Sequence, residues 1–165
     1  RKAGIDPVVL ESVERRNQHQ KNRLYSYIQK KFSSKLNGKI FTIWGLSFKP
    51  GTDDIREASS LVLINSLIKA GAKVQAFDPV ANEMAKKKFP TDWVEKRKLI
   101  FYDDCYPALE NADALVLMTE WKMFRNPSLS KMKELMRNLC IFDGRNQYDP
   151  QYMRQNGFEY KGIGR

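Results

Sequence analysis

The sequence predicts an α/β domain of three layers, a mainly parallel sheet with helices on both faces, preceded by one long helix. Three observations carry that prediction. From residue 39 onward, short apolar runs alternate with stretches of helical period, the pattern of successive β-α units. Several of the runs, such as Ala114-Leu115-Val116-Leu117-Met118, are apolar throughout and read as buried strands. Ahead of them lies a helical stretch whose middle, 14–23, holds no apolar residue. A helix that is polar all round at its centre bridges between bodies rather than packing into one core.

The elements follow in order. Asp6-Pro7 is a helix start, an N-cap acceptor with proline at the first helical position. From there the spacing predicts a helix over 7–36, with Val9, Leu10 and Val13 at one end and Leu24, Ile28 and Phe32 at the other. A single amphipathic helix capping the domain is the other reading of this stretch. Residues 1–37 are assigned to the helix and 38–165 to the domain behind it. A buried strand is expected over 39–46, with Ile40, Phe41, Ile43, Trp44 and Leu46. A helix then begins near Ala58 and runs until Gly71 stops it. Further strands are expected at 73–78, 99–102, 114–118 and 140–142, with an edge strand at 158–160. Helical segments are expected at 80–89, 106–111, 128–136 and 150–155. The stretches 90–98 and 119–127 read as irregular.

Length and composition narrow the function. The 165 residues suffice for one domain with a sizeable core but not for two dinucleotide folds. The formal charge is +10, from 29 basic and 19 acidic residues. The basic residues are scattered as Arg15-Arg16, Lys30-Lys31, Lys86-Lys87-Lys88 and Lys96-Arg97-Lys98, in different elements. No basic recognition helix or aromatic RNA-binding signature gathers them, so no nucleic-acid partner is expected. The surplus favours a phosphate-bearing small molecule. No apolar run of about 18 residues occurs, and no signal peptide; no membrane contact and a cytoplasmic location are expected. Cys105 and Cys140 lack metal-ligand spacing and His19 is the only histidine, so both cysteines read as reduced and no metal site is expected. The sequence opens without methionine, which reads as a piece of a longer chain.

One loop stands out, between the first strand and its helix. It reads Gly45-Leu46-Ser47-Phe48-Lys49-Pro50-Gly51-Thr52-Asp53-Asp54-Ile55-Arg56-Glu57-Ala58 and carries two cations, Lys49 and Arg56. Ligands of open parallel sheets bind outside the carboxyl ends of strands, in loops of this kind. The first-turn amides of the following helix add their own pull on an anion. Gly45 and Gly51 fit neither the G-x-G-x-x-G nor the Walker A spacing, so this is not an ordinary dinucleotide loop. The other reading is a surface loop in which Asp53, Asp54 and Glu57 pair with Lys49 and Arg56.

The loop resembles the signature that opens the C-terminal domain of the nucleotide-sugar 6-dehydrogenases, the UDP-glucose and GDP-mannose dehydrogenases. The resemblance continues through Phe77-Asp78-Pro79-Val80-Ala81, Ala112-Asp113-Ala114-Leu115-Val116 and Thr119-Glu120-Trp121-Lys122. It ends with Ile141-Phe142-Asp143-Gly144-Arg145-Asn146 and Gly157-Phe158-Glu159-Tyr160. Six blocks in the family's order cover nearly the whole chain. Trp44, Glu120-Trp121-Lys122 and Asp143-Gly144-Arg145-Asn146 look most like the UDP-glucose-oxidising bacterial branch. UDP-N-acetylmannosamine or GDP-mannose as the sugar nucleotide, and a non-catalytic nucleotide-binding or dimerisation module, stay open as alternatives.

That resemblance implies a Rossmann-like domain that binds the UDP-sugar, in an enzyme that oxidises UDP-glucose to UDP-glucuronate with two NAD. It implies that Phe48, Lys49 and Arg145 bind the substrate and that Arg56 reaches the NAD pyrophosphate. It further implies a homodimer formed through the long helix. The family's catalytic cysteine lies in a Gly-Gly-Ser-Cys-type motif that this sequence does not contain. No catalytic residue is therefore expected here, and NAD is expected to be bound mainly by an N-terminal domain. Asp53 and Asp54 read as loop-setting residues rather than acid-base catalysts.

Overall fold

In the computed structural model, which describes residues 8–165, the long polar stretch forms two helical segments, α1 (Val8–Lys21) and α2 (Arg23–Lys31). The helical ladder continues across Asn22: its N–H donates to Gln18 O at 3.2 Å, and Ser26 N–H donates to Asn22 O at 3.1 Å. No side chain of α1 is buried, as expected of a helix without an apolar face in its middle. In α2, Leu24 and Ile28 are buried against the sheet. The helix start read at Asp6-Pro7 lies outside the described residues.

The helix ends earlier than the spacing predicts. Ser33 and Ser34 adopt left-handed backbone (φ 48° and 58°), which breaks the ladder five residues short of Leu36. Leu36 is 1% exposed: its burial beneath the domain turns the chain off the helical path. The local spacing of apolar residues holds no trace of that turn, because Leu36 fits the helical period as well as it fits the core.

Behind the helices the domain alternates strand and helix. The elements are β1 (Ile40–Trp44), α3 (Ser59–Lys69), β2 (Lys73–Phe77), α4 (Asn82–Lys86), α5 (Thr91–Glu95) and β3 (Leu99–Phe101). They continue with β4 (Ala114–Leu117), α6 (Leu129–Leu135), β5 (Cys140–Asp143), α7 (Pro150–Gln155) and β6 (Glu159–Gly162). Short 3₁₀ turns cover Pro107–Leu109 and Lys122–Phe124. The stretch 90–98, expected to be irregular, contains the helix α5. Its Trp93 stacks on Phe89 with ring centroids 5.8 Å apart, so tertiary packing supports a helix that the charged sequence hides. The two ends of α6 and α7 follow their caps: Ser128 Oγ accepts Lys131 N–H, and Asp149 Oδ1 accepts Tyr152 N–H at 2.6 Å.

All six strands are parallel, in the order β3-β2-β1-β4-β5-β6. Each central strand is covered on both faces. Phe41, Ile43, Ala114, Val116 and Phe142 point into one core with Leu24, Ile28, Leu63, Ile64 and Leu67 of the helices. Trp44, Leu115, Leu117 and Ile141 point into a second core with Phe124, Met132, Tyr148 and Met153. Alternate residues of one strand thus serve opposite cores, and the apolar runs of the sequence are explained by burial on both sides. Trp44 fills the second core: it stacks on Phe124 at 5.0 Å and donates its indole N–H to Cys105 O at 2.9 Å.

The strand order reverses direction at β1, whose neighbours are β2 on one side and β4 on the other. A crevice opens at such a switch point, between loops that leave in opposite directions. Here those loops are the segment after β1 and the segment after β4.

Candidate functional site

The turn after β1 is built by close approach. Gly45 has φ +90°, and a Cβ placed on it would lie 2.5 Å from Thr119 Cβ and 2.6 Å from Thr119 N. Thr119 follows β4 and donates its hydroxyl to Ser47 O at 2.6 Å. The two loops of the switch point are therefore in contact at Gly45, where only glycine fits.

Asp78, at the end of β2, fixes the same turn from the other side. Its Oδ2 accepts the N–H groups of Leu46 (2.7 Å) and Ser47 (3.1 Å), the Ser47 hydroxyl (3.1 Å) and the Trp121 indole N–H (3.1 Å). Its Oδ1 accepts the N–H groups of Val80 and Ala81. Asp78 is 2% exposed, and this full set of donors makes the burial of a carboxylate tolerable. Trp121 is one of those donors, so its indole braces the turn from the loop after β4.

Beyond Ser47 the loop emerges into solvent. Phe48 is 51% exposed, and Lys49 is exposed with no ion pair among the described residues. Arg56 forms a two-pronged pair with Asp54: Nε to Oδ1 at 3.0 Å and Nη2 to Oδ2 at 2.8 Å. Asp54 Oδ1 also accepts Arg56 N–H at 2.9 Å. Those hydrogen bonds lower the Asp54 carboxyl to about 2. Asp54 thus sets the loop, as expected, and Arg56 holds the partner that the surface-loop reading gave it.

Arg145 comes from the end of β5. Gly144 before it has no room for a side chain, since a Cβ there would meet Leu24 Cδ1 at 2.8 Å and Leu117 O at 2.9 Å. Asp143 is fully buried and organises the turn: it accepts the N–H groups of Arg145, Gln147 and Tyr148 and the Tyr160 hydroxyl. Burial, then the Asp143 charge beside it, pushes the Tyr160 hydroxyl up, which keeps it a proton donor to that carboxylate. The Arg145 guanidinium then lies across the switch point. Nε donates to Met118 O at 2.7 Å, and Nη2 donates to Phe48 O at 3.0 Å. Glu120 Oε2 sits 3.0 Å from Nε as an ion pair, while the N–H itself points at the Met118 carbonyl. Of the five guanidinium donors, two are spent on carbonyls and three remain for a ligand.

Phe48 and Arg145 line one cleft of about 660 Å³, together with Glu14, Asn17, Gln20, Lys21, Glu57 and Ser59. A smaller cavity of about 260 Å³ adjoins it beneath α1 and α2. The structure therefore brings two of the four expected residues into one cavity wall, Phe48 and Arg145; Lys49 and Arg56 are exposed and do not line that cleft. Reading the sequence in order missed Lys21, Glu57, Ser59 and Glu120. Lys21 lies in a polar stretch whose face toward the domain no periodicity marks.

Neither cysteine has the environment of a nucleophile. Both are free and buried, and burial pushes each thiol up to about 12, so the thiolate is scarce at neutral pH. No cluster of three or more metal-ligating side chains occurs among the described residues. No helix of the described residues is long and apolar enough to cross a membrane.

A doubly wound parallel sheet with an arginine and an exposed aromatic at its switch point defines a ligand-binding α/β domain. Residues 42–150 match the model of the UDP-glucose/GDP-mannose dehydrogenase family, UDP binding domain, and the chain belongs to that family. It is 46% identical over 162 residues to a UDP-glucose 6-dehydrogenase of Pseudomonas aeruginosa, covering 98% of this chain and 36% of the relative. The chain thus spans about a third of the length of that relative. Among solved structures it resembles a UDP-glucose dehydrogenase from Pyrobaculum islandicum (TM-score 0.74, 22% identity, 98% of this chain and 33% of that one). It also resembles an NDP-N-acetyl-D-galactosaminuronic acid dehydrogenase from Methanosarcina mazei (TM-score 0.75, 26% identity, 98% and 32%).

Proposed function

We propose that this chain forms the UDP-sugar-binding part of an NAD-dependent 6-dehydrogenase that oxidises UDP-glucose to UDP-glucuronate. The observation that carries the proposal is the placement of Arg145. It is anchored to Met118 O and Phe48 O at the switch point, with three donors free for a phosphate or sugar oxygen. Phe48 supplies an exposed aromatic face beside it. Lys49, free of ion pairs among the described residues, has the flexible stem to swing a point charge over the same cleft.

The turn after β1 does not suit a dinucleotide. In a dinucleotide fold the amides of this turn hold the pyrophosphate, but here the Leu46 and Ser47 amides are taken by the Asp78 carboxylate. A second anion at that place would face a buried negative charge. In the proposed enzyme NAD is held mainly by an N-terminal domain, and Arg56 would reach it only by leaving Asp54. No step of the hydride chemistry is assigned to these residues.

The proposal extends to assembly and place. The stretch 1–37, whose described part is α1 and α2, acts as the domain link and 38–165 as the UDP-sugar domain. α1 buries no side chain here and exposes Val8, Val9, Leu10 and Val13, which supports a homodimer formed along it; the proposed place of the enzyme is the cytoplasm. Calorimetric titration of the chain with UDP-glucose tests the function. Binding that is lost in both Lys49→Ala and Arg145→Ala is expected. UDP-glucose binding unchanged in both variants would refute the assigned site.

A further inference from the structure

Two cavities meet at the carboxyl end of the sheet, and four residues line both: Gln20, Lys21, Ser59 and Arg145. Arg145 belongs to the site already described. Lys21 comes from the last turn of α1, and its ammonium is directed at the domain: the side chain is 16% exposed, against 76% for its partner Glu57. The cation therefore sits in the cleft wall, while the carboxylate that neutralises it reaches in from the solvent side.

Glu57 is an unusual partner. Its backbone is left-handed (φ 59°) although it is not a glycine, a conformation disfavoured for a side chain of this kind. Among the described residues its carboxylate makes no hydrogen bond except the one from Lys21 Nζ. The pair is therefore mostly wet on one side, and exposed pairs of this kind are weak. A nucleoside diphosphate brings more charge and more acceptor oxygens than one carboxylate, so it outcompetes Glu57 for a lysine that can pivot on its stem.

We infer that Lys21 is a further nucleotide-binding residue, facing Arg145 across the cleft, and that Glu57 is its internal counter-anion, displaced when a diphosphate enters. Rotation about the Lys21 side chain is the only movement required. The linking helix then contributes to substrate binding directly instead of serving only as a strut. Exchange of one ion pair for another also signals occupancy of the cleft to the helix, since the contact between Lys21 and the loop is broken on binding. The inference rests on the proposed function, because it assumes a diphosphate ligand at Arg145.

Titration of the chain with UDP, by calorimetry, separates the two. Glu57→Gln frees Lys21 and is expected to tighten UDP binding about two- to fivefold, the range that an exposed ion pair accounts for. Lys21→Met is expected to weaken it about three- to tenfold, and Lys21→Arg to stay within about twofold of the parent chain. The double variant should match Lys21→Met, because Glu57 acts only through Lys21. Circular dichroism of each variant checks that the fold is kept. If Glu57→Gln weakens UDP binding as much as Lys21→Met does, the pair is a structural clasp and the inference is wrong. UDP binding that ignores Lys21→Met would also overturn it. UDP binding that ignores Arg145→Ala would instead sink the proposed function, and no binding to the parent chain at millimolar UDP would overturn both.

Discussion

Arg145 and Phe48, 97 positions apart in sequence, are joined by one hydrogen bond of 3.0 Å from the guanidinium to the Phe48 carbonyl. That bond ties the β5 turn to the loop after β1, across the strand between them. A side chain that faces the cleft is thereby used as a structural brace as well, so its geometry is set before any ligand arrives.

The brace can be tested by keeping the charge and removing the fork. An ammonium cannot reach Met118 O and Phe48 O together and still present donors to a ligand. Arg145→Lys is expected to weaken UDP binding about tenfold while costing about 1 kcal/mol of stability, the net worth of a typical hydrogen bond. Calorimetry and thermal unfolding read the two effects separately. A variant that binds as the parent does would mean the charge alone suffices.

Gly45 makes a sharper steric prediction. A Cβ there meets Thr119 backbone as well as its side chain, and φ is +90°. Neither obstacle can relax cheaply, so Gly45→Ala is expected to cost about 2 kcal/mol or more. Thr119→Ser should recover little of it, since Thr119 N stays in place. Denaturant unfolding midpoints for the single and double variants give the answer.

The Asp54–Arg56 pair predicts a pH response. The folded carboxyl lies near 2, below its ordinary 3.8. A depressed carboxylate contributes order above its unfolded value and loses that contribution as pH falls through the folded one. Loop order should therefore decline between about pH 4 and pH 2 and not at neutral pH. The Asp54 carboxyl carbon, followed by NMR, is expected to titrate near 2. In Arg56→Ala its midpoint should rise toward 3.8.

Much of this fold is legible in the sequence because the sheet is buried on both faces. Ala114 to Met118 can only be a covered strand, and the helical segments expected at 128–136 and 150–155 fall on α6 and α7. The switch-point loop is legible too, because glycines, cations and short polar residues stand together after an apolar run. The end of the long helix is not legible, since Leu36 fits both the helical period and the core. Helix α5 is hidden for a similar reason: its support is the contact between Trp93 and Phe89, not its own pattern. Arg56 shows the limit at the site, because a cation three residues from Asp53 and two from Asp54 carries no mark of whether it pairs or reaches outward. Lys21 and Glu57 meet only through tertiary structure, 36 positions apart.

The location of the ligand is best read residue by residue. Amide chemical shifts of the ¹⁵N-labelled chain, followed during titration with UDP-glucose, map it directly. The switch-point site predicts that the largest changes fall on 46–49, Thr119, Glu120, Gly144 and Arg145. Changes gathered instead around Tyr27, Lys30, Lys31 and Lys161, which line a separate hollow beside β6, would place the ligand elsewhere and contradict it.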